Sequence, residues 1–209
     1  MKLDHPPLVE LLQRAYSAER AAALAYVGHA SSLKDPKAKA AVNQIETDEW
    51  NHRRHVLGLM QQYGVPISRA YEWRFYLLGK LISWSCHGIG WFMPYYFAGK
   101  LESGNVCEYF LAMRHFQSLG IRDHDALLYE MGMKEKEHEV FFLAQIQTSR
   151  FLPLFERVFG WGVHASQNDV DAEARLSVEE SNQYCRRSDG PPRSHPGREV
   201  PEPIEPKPK

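Results

Sequence analysis

The chain has 209 residues, 44% of them hydrophobic, and its 25 Lys and Arg against 26 Asp and Glu leave a net charge of −1. That length is enough for one domain with a covered core, and so even a balance offers no general attraction to nucleic acid. Cys86, Cys107 and Cys185 are odd in number and widely spaced, which speaks against a zinc knuckle or a disulfide framework and favours a reducing, cytoplasmic setting.

The first residues, Met1 to Pro7, show no apolar stretch behind a basic start, so a secretory leader is not expected. From Pro7 to Ala30 the residues Leu8, Leu11, Leu12, Ala15, Ala22, Ala25 and Tyr26 recur at helical spacing behind two prolines, predicting helix 1. A break at 31–36 follows, and Ala38, Val42, Ile45, Glu49, His52, Val56 and Leu59 carry a second helical stripe up to Tyr63-Gly64-Val65-Pro66. Residues 70–98 are the least polar of the chain, with no formal charge between Lys80 and Lys100. Glycines, Pro94, His87 and serines interrupt that run, so it reads as a buried, kinked approach to a third helix at 98–118 rather than a membrane span. A fourth helix is expected over 123–147, and a short aromatic amphipathic piece over 151–161. Beyond His164 large apolar residues thin out, and seven of the thirteen prolines fall between Pro191 and Pro208. Two regions are therefore expected: a helical domain at 1–165 and a largely disordered Pro-rich tail at 166–209.

Two copies of Glu-x-x-His stand inside these helical patterns, Glu49-Trp50-Asn51-His52 and Glu135-Lys136-Glu137-His138. At about 3.6 residues per turn each tetrad sets a carboxylate and an imidazole on one face. Two such pairs, with two bridging glutamates from the other helices, describe a di-iron or di-manganese site in a four-helix bundle. On helix 1 the lone ligand is Glu19, set among Ala15, Ala18, Ala21, Ala22, Ala23 and Ala25. The third helix offers Glu102 and Glu108. Glu108 is chosen because Val106, Cys107, Tyr109, Phe110 and Leu111 surround it in sequence, whereas Glu102 adjoins Lys100 and Ser103-Gly104. The expected ligands are thus Glu19, Glu49, His52, Glu108, Glu135 and His138. Asp48 is positioned to accept from the His52 ring, His115 and Tyr26 fall seven residues after Glu108 and Glu19, and Glu137 and Glu139 should face outward or lie at the edge. Hard carboxylate oxygens with one imidazole per metal suit iron, or alternatively manganese. The competing reading is a metal-free helical module whose glutamates are solvated surface charges.

Over residues 10–147 the chain resembles the demethoxyubiquinone hydroxylase family of ferritin-like proteins. The likeness rests on Glu19 with Tyr26, on Glu49-Trp-Asn-His52-Arg-Arg-His-Val-Leu-Gly-Leu-Met60, on Gly99-Lys100 leading to Val106-Cys-Glu108 and His115, and on Glu135-Lys-Glu-His138. It implies an all-α, ferritin-like four-helix bundle with the same six residues holding two iron ions. It implies a monooxygenase that takes dioxygen and electrons from a donor to hydroxylate a prenylated quinone ring in ubiquinone biosynthesis, on the inner face of a membrane. The surroundings of Glu19 and the 71–97 segment depart from the family pattern. A soluble ferritin-like oxidase, peroxidase or iron-handling protein is the alternative, and either reading allows a homo-oligomer.

Overall fold

The computed structural model describes residues 3–163 and 174–180, and within them the chain is helical throughout, with no strand. Six helices are fully described: α1 Pro6–Ser32, α2 Pro36–Gln62, α3 Arg69–Ser85, α4 Phe92–Ser118, α5 Asp125–Ile146 and α6 Leu152–Phe159. Local chemistry sets their starts. His5 Nδ1 accepts from the Leu8 amide at 3.1 Å and Asp35 from the Ala38 amide at 2.8 Å, each just ahead of a proline in the first turn. These residues satisfy amides that a helix N-terminus leaves open. Gly160, at φ 71°, ends α6 in the left-handed region that favours glycine.

α1, α2, α4 and α5 enclose a common interior made of two apolar clusters. Leu8 to Tyr16 of α1, Val56 to Met60 of α2, Val106 to Phe116 of α4 and Leu128 with Met131 of α5 build one. Tyr26 and Ala30, Val42 and Ile45, Phe92 to Ala98, and Phe142 with Ile146 build the other, closed by Leu152 and Trp161. The order in which each helix visits the two clusters gives its direction: α1 runs with α5 and against α2 and α4. Since α2 and α4 run the same way, the chain must return along the full length of the bundle between them.

That return is α3. Over 69–85 the structure departs from the expected buried, kinked approach: this is a separate helix on the outside of α1, with Gly79 its one buried residue, whereas 92–98, the first turns of α4, are largely buried. α3 lies parallel to α1, for Tyr71 reaches Glu10, Glu72 reaches Arg20, and Gly79 and Ser83 lie against Ala21 and Gly28. The two helices nearly touch because glycines face each other's backbone. A Cβ on Gly28 would sit 2.2 Å from the Ser83 carbonyl oxygen, and one on Gly79 2.7 Å from that of Ala21. Glu72 pins the pair to α2 by two contacts with Arg53, at 3.0 and 2.8 Å. With its inner face spent on α1, α3 turns Trp73, Leu77, Leu81 and Trp84 to solvent, Trp84 being 81% exposed.

Cys86 is a buried free thiol, whereas Cys107 is disulfide-bonded, a pairing that the wide spacing of the cysteines does not announce because tertiary proximity decides it. Most of 166–209 lies outside the described residues. Within it, Ala174 and Val178 pack partly buried against the core, and Ser177 caps a helical turn through Glu180.

Candidate metal centre

On each of the four enclosing helices the apolar stripe breaks at the level between the two clusters. Glu19 occupies it on α1, Glu49 and His52 on α2, Glu102 on α4, and Glu135 and His138 on α5, all six buried. Their donor atoms form two overlapping groups, Glu19, Glu49, His52 and Glu135 in one, and Glu49, Glu102, Glu135 and His138 in the other, with every atom of a group within 4.8 Å of the rest. Glu49 and Glu135 belong to both. The tetrad glutamates are therefore the shared pair, and the lone glutamates Glu19 and Glu102 stand at the two ends, the reverse of the bridging roles expected.

Five of the six expected residues come together; Glu108 does not. It lies on the outward side of α4, half-buried, with Oε1 2.8 Å from Arg14, and Glu102 takes its place. Helical phase explains the correction. Six residues separate the two glutamates, about 240° around the axis at 100° per residue, so apolar neighbours in sequence do not place Glu108 on the apolar face. A signal for Glu102 was present: Tyr109 follows it by seven residues, as Tyr26 follows Glu19. The structure crosses these pairs, the Tyr26 hydroxyl donating to Glu102 and the Tyr109 hydroxyl to Glu19.

The chain matches no family model, no curated protein and no solved structure. Its site thus stands on its own geometry. Glu19 Oε2, both oxygens of Glu49, Glu135 Oε1, and the Nδ1 atoms of His52 and His138 are buried without a hydrogen-bond partner among the described residues. His52 Nδ1 lies 2.6 Å from Glu135 Oε1, yet without the alignment of a hydrogen bond. Buried polar atoms left in this state are costly, and lone pairs converging on a common point are what a cation needs. Oxygen donors with two imidazoles fit iron or manganese.

Outer contacts orient the set. Asp48 lies 3.2 Å from His138 Nε2, across the bundle from its own helix, rather than serving His52 as expected. A proton held between Asp48 and Nε2 leaves the Nδ1 lone pair facing Glu49 and Glu135. Asn105 donates to Glu102 at 3.0 Å and to Glu135 at 3.4 Å. Glu139, expected at the edge or outside, is buried and held by Trp161 Nε1 at 2.8 Å and Lys136 Nζ at 2.7 Å. His115 is not part of the site; its ring packs on His5, 4.9 Å between centroids, at the far end of α4.

Four carboxylates in so dry a space strain one another's ionisation. Burial, reinforced by the Glu135 charge, pushes Glu19 up to about 6 and drives Glu49 and Glu102 well above the usual carboxylate range. Burial works on Glu135 in the same direction, but contacts with Glu102, His138 and His52 outweigh it and hold Glu135 well below that range. His52 is raised because its closeness to Glu135 outweighs burial. Without cations, protons must neutralise this cluster; cations would take their place.

A cavity of about 560 Å³ adjoins the site between α1, α3 and α4, within the range of small-molecule sites. Tyr26 and Asn105, both bonded to Glu102, lie in its wall; Cys86, Met93, Phe97 and the exposed Leu101 give it apolar surface, and the charged Lys100 and Glu108 also border it.

Proposed function

We propose that the chain is a ferritin-like di-iron monooxygenase that hydroxylates an apolar, quinone-type ring delivered from a membrane surface. The carrying observation is the pair of overlapping donor groups sharing Glu49 and Glu135. A four-helix interior with one long crossover, here α3, supports the ferritin-like assignment. Glu19 and His52 would complete the shell of one ion, and Glu102 and His138 that of the other. Two irons bound there would supply dioxygen activation, so that, with two electrons and two protons from an external donor, one oxygen atom would end on the ring and the other would leave as water. The chain's own contribution is to hold and shield. Tyr26 and Tyr109 fix the end carboxylates, Asp48 fixes the His138 tautomer, and the apolar clusters on either side exclude water.

The substrate and membrane parts of the reading are supported by the cavity and by α3. Trp73, Leu77, Leu81 and Trp84 form one exposed face, Ile89 and Trp91 extend it toward the cavity, and Arg69, Arg74 and Lys80 are exposed beside it. Aromatic and apolar residues flanked by cations suit an anionic bilayer interface. No helix among the described residues is long and apolar enough to cross a membrane, so the contact would be peripheral.

Anaerobic titration of the full chain with Fe(II) tests the centre. The expected endpoint is about two ions per chain, both oxidised when oxygen is admitted; a chain that takes up none is not a di-iron protein. In flotation with anionic vesicles the protein should rise with the lipid, and Leu81→Glu with Trp84→Glu should leave it in the soluble fraction. If the unaltered chain stays soluble, the alternative of a soluble oxidase prevails.

A further inference from the structure

His29 is out of keeping with its surroundings. It lies on α1, one turn beyond Tyr26 and in the wall of the 560 Å³ cavity, and is 2% exposed. Its ring packs edge-on to Tyr95 at 4.6 Å and stacks on Phe142 at 5.9 Å. Neither Nδ1 nor Nε2 has a hydrogen-bond partner among the described residues. Burial holds its pKa down to about 4, so at neutral pH the ring is uncharged, with one N–H donor and one lone-pair acceptor. A phenylalanine would fill the same space without leaving two polar atoms unsatisfied, an arrangement that ordinarily costs stability. The metal centre does not use His29, and Tyr26 separates the two.

We propose that His29 is the polar anchor of a ligand subsite in the α1–α3–α4 cavity, one that takes a flat, apolar molecule bearing a carbonyl or hydroxyl oxygen. Both nitrogens are closed over by their neighbours, so a ligand engages them through a turn of the ring, a carbonyl then accepting from the ring N–H or a hydroxyl donating to the bare nitrogen. The rest of the ligand lies against Ala22, Ala25, Met93 and Phe97. One helical turn advances about 5.4 Å, so a ring held at His29 by its oxygen extends along α1 toward Tyr26 and Asn105, the residues bonded to Glu102. Where the oxygen is held thereby determines which ring position faces the metal centre. This deepens the proposed hydroxylase reading and rests on it for its catalytic meaning, although the binding itself needs no metal.

The test uses 2-naphthol and naphthalene, alike in shape and differing by one hydroxyl, titrated into the full chain by fluorescence without added iron. His29→Phe should reduce the affinity ratio between the two probes by about tenfold, roughly one hydrogen bond, and leave naphthalene binding nearly unchanged. His29→Gln, which keeps a donor and an acceptor, should preserve most of the ratio and covers the case in which the phenylalanine variant does not fold. Ala22→Trp, which fills the cavity, should weaken both probes together. An unaltered ratio in His29→Phe, or unaltered binding in Ala22→Trp, overturns the subsite. Iron uptake measured on the same samples separates the two ideas. A chain that discriminates the probes but takes no Fe(II) keeps the subsite and refutes the metal centre; one that takes Fe(II) and shows no discrimination refutes the subsite alone.

Discussion

Glu102→Ala should lower the affinity of the protein for Fe(II) by at least about 100-fold, while Glu108→Ala should leave it unchanged. Loss of an outer contact alone costs about 10–100-fold at a metal site, and Glu102 stands inside the donor set, completely buried, with one oxygen bonded to Tyr26 and the other to Asn105. Its loss removes a charge that the pair Glu49 and Glu135 would share with a cation, and frees Tyr26 from its partner. Glu108 meets Arg14 where both side chains are substantially solvated, 31% and 45% exposed; such pairs contribute about 0–1 kcal/mol. Glu102→Gln sharpens the contrast, because an amide retains the shape and can still accept from Tyr26 while removing the charge. It should bind iron poorly, yet melt higher than the unaltered chain when both are metal-free at pH 7.5, because it relieves the crowding of carboxylates. Iron counted after gel filtration, with melting curves of the metal-free samples, decides the matter; equal iron loss in Glu102→Ala and Glu108→Ala would show that neither placement matters.

The metal-free protein should lose stability as the pH rises above about 6.5, and a divalent cation should abolish that loss. Glu19, raised to about 6, and Glu49 and Glu102, raised further, retain protons in the folded chain that the unfolded chain has released above the ordinary 4.5. Their stabilising contribution is complete below 4.5 and disappears as the pH climbs through each folded value. His52, also raised, works in the same sense. His29, lowered to about 4, has the opposite effect, but only between 4 and the ordinary 6.5; His115, lowered as well, likewise acts only below 6.5. Glu135, held low, acts only in acid below 4.5. Above 6.5 the raised groups remain. A tenfold difference in proton affinity between the folded and unfolded chain is about 1.4 kcal/mol, and 1 kcal/mol moves the midpoint of a chain this size by about 2–4 °C. A drop of about 5 °C between pH 6.5 and 8.5 is therefore expected. With Mn(II), or Fe(II) under nitrogen, the profile should flatten or rise, since the ions displace the protons. Parallel profiles with and without metal would mean that the carboxylates do not receive a cation.

Much of the helical layout could be read along the chain. The two Glu-x-x-His tetrads declared themselves because helical spacing puts positions i and i+3 on one face whatever surrounds them. Glu19 stood out by its run of alanines. Those are local properties. Apolar sequence neighbours favour Glu108 over Glu102 in the same local way, yet neighbours along a helix point in different directions, and Glu102 is the one that faces the interior. The heptad link from each end glutamate to a tyrosine was visible, but that each tyrosine serves the other helix's glutamate was not. Asp48 likewise bonds a histidine 90 residues away instead of the one four residues on. The 70–98 segment shows the same limit: its apolarity was plain, but not that 69–85 would lie on the outside of α1 while 92–98 enters the core.

Sequence by itself determined helix content, the tetrads and the chemical type of the donors, because these follow from spacing on a 3.6-residue turn and from what each side chain can donate. Tertiary structure alone decided that Glu49 and Glu135 are shared, that Glu102 rather than Glu108 faces them, and that α3 presents its tryptophans outward. It also set His29 beside a cavity with no hydrogen-bond partner among the described residues. Each of these depends on which faces of separate helices meet, and that is settled by the packing of all four at once, not by any residue's neighbours along the chain.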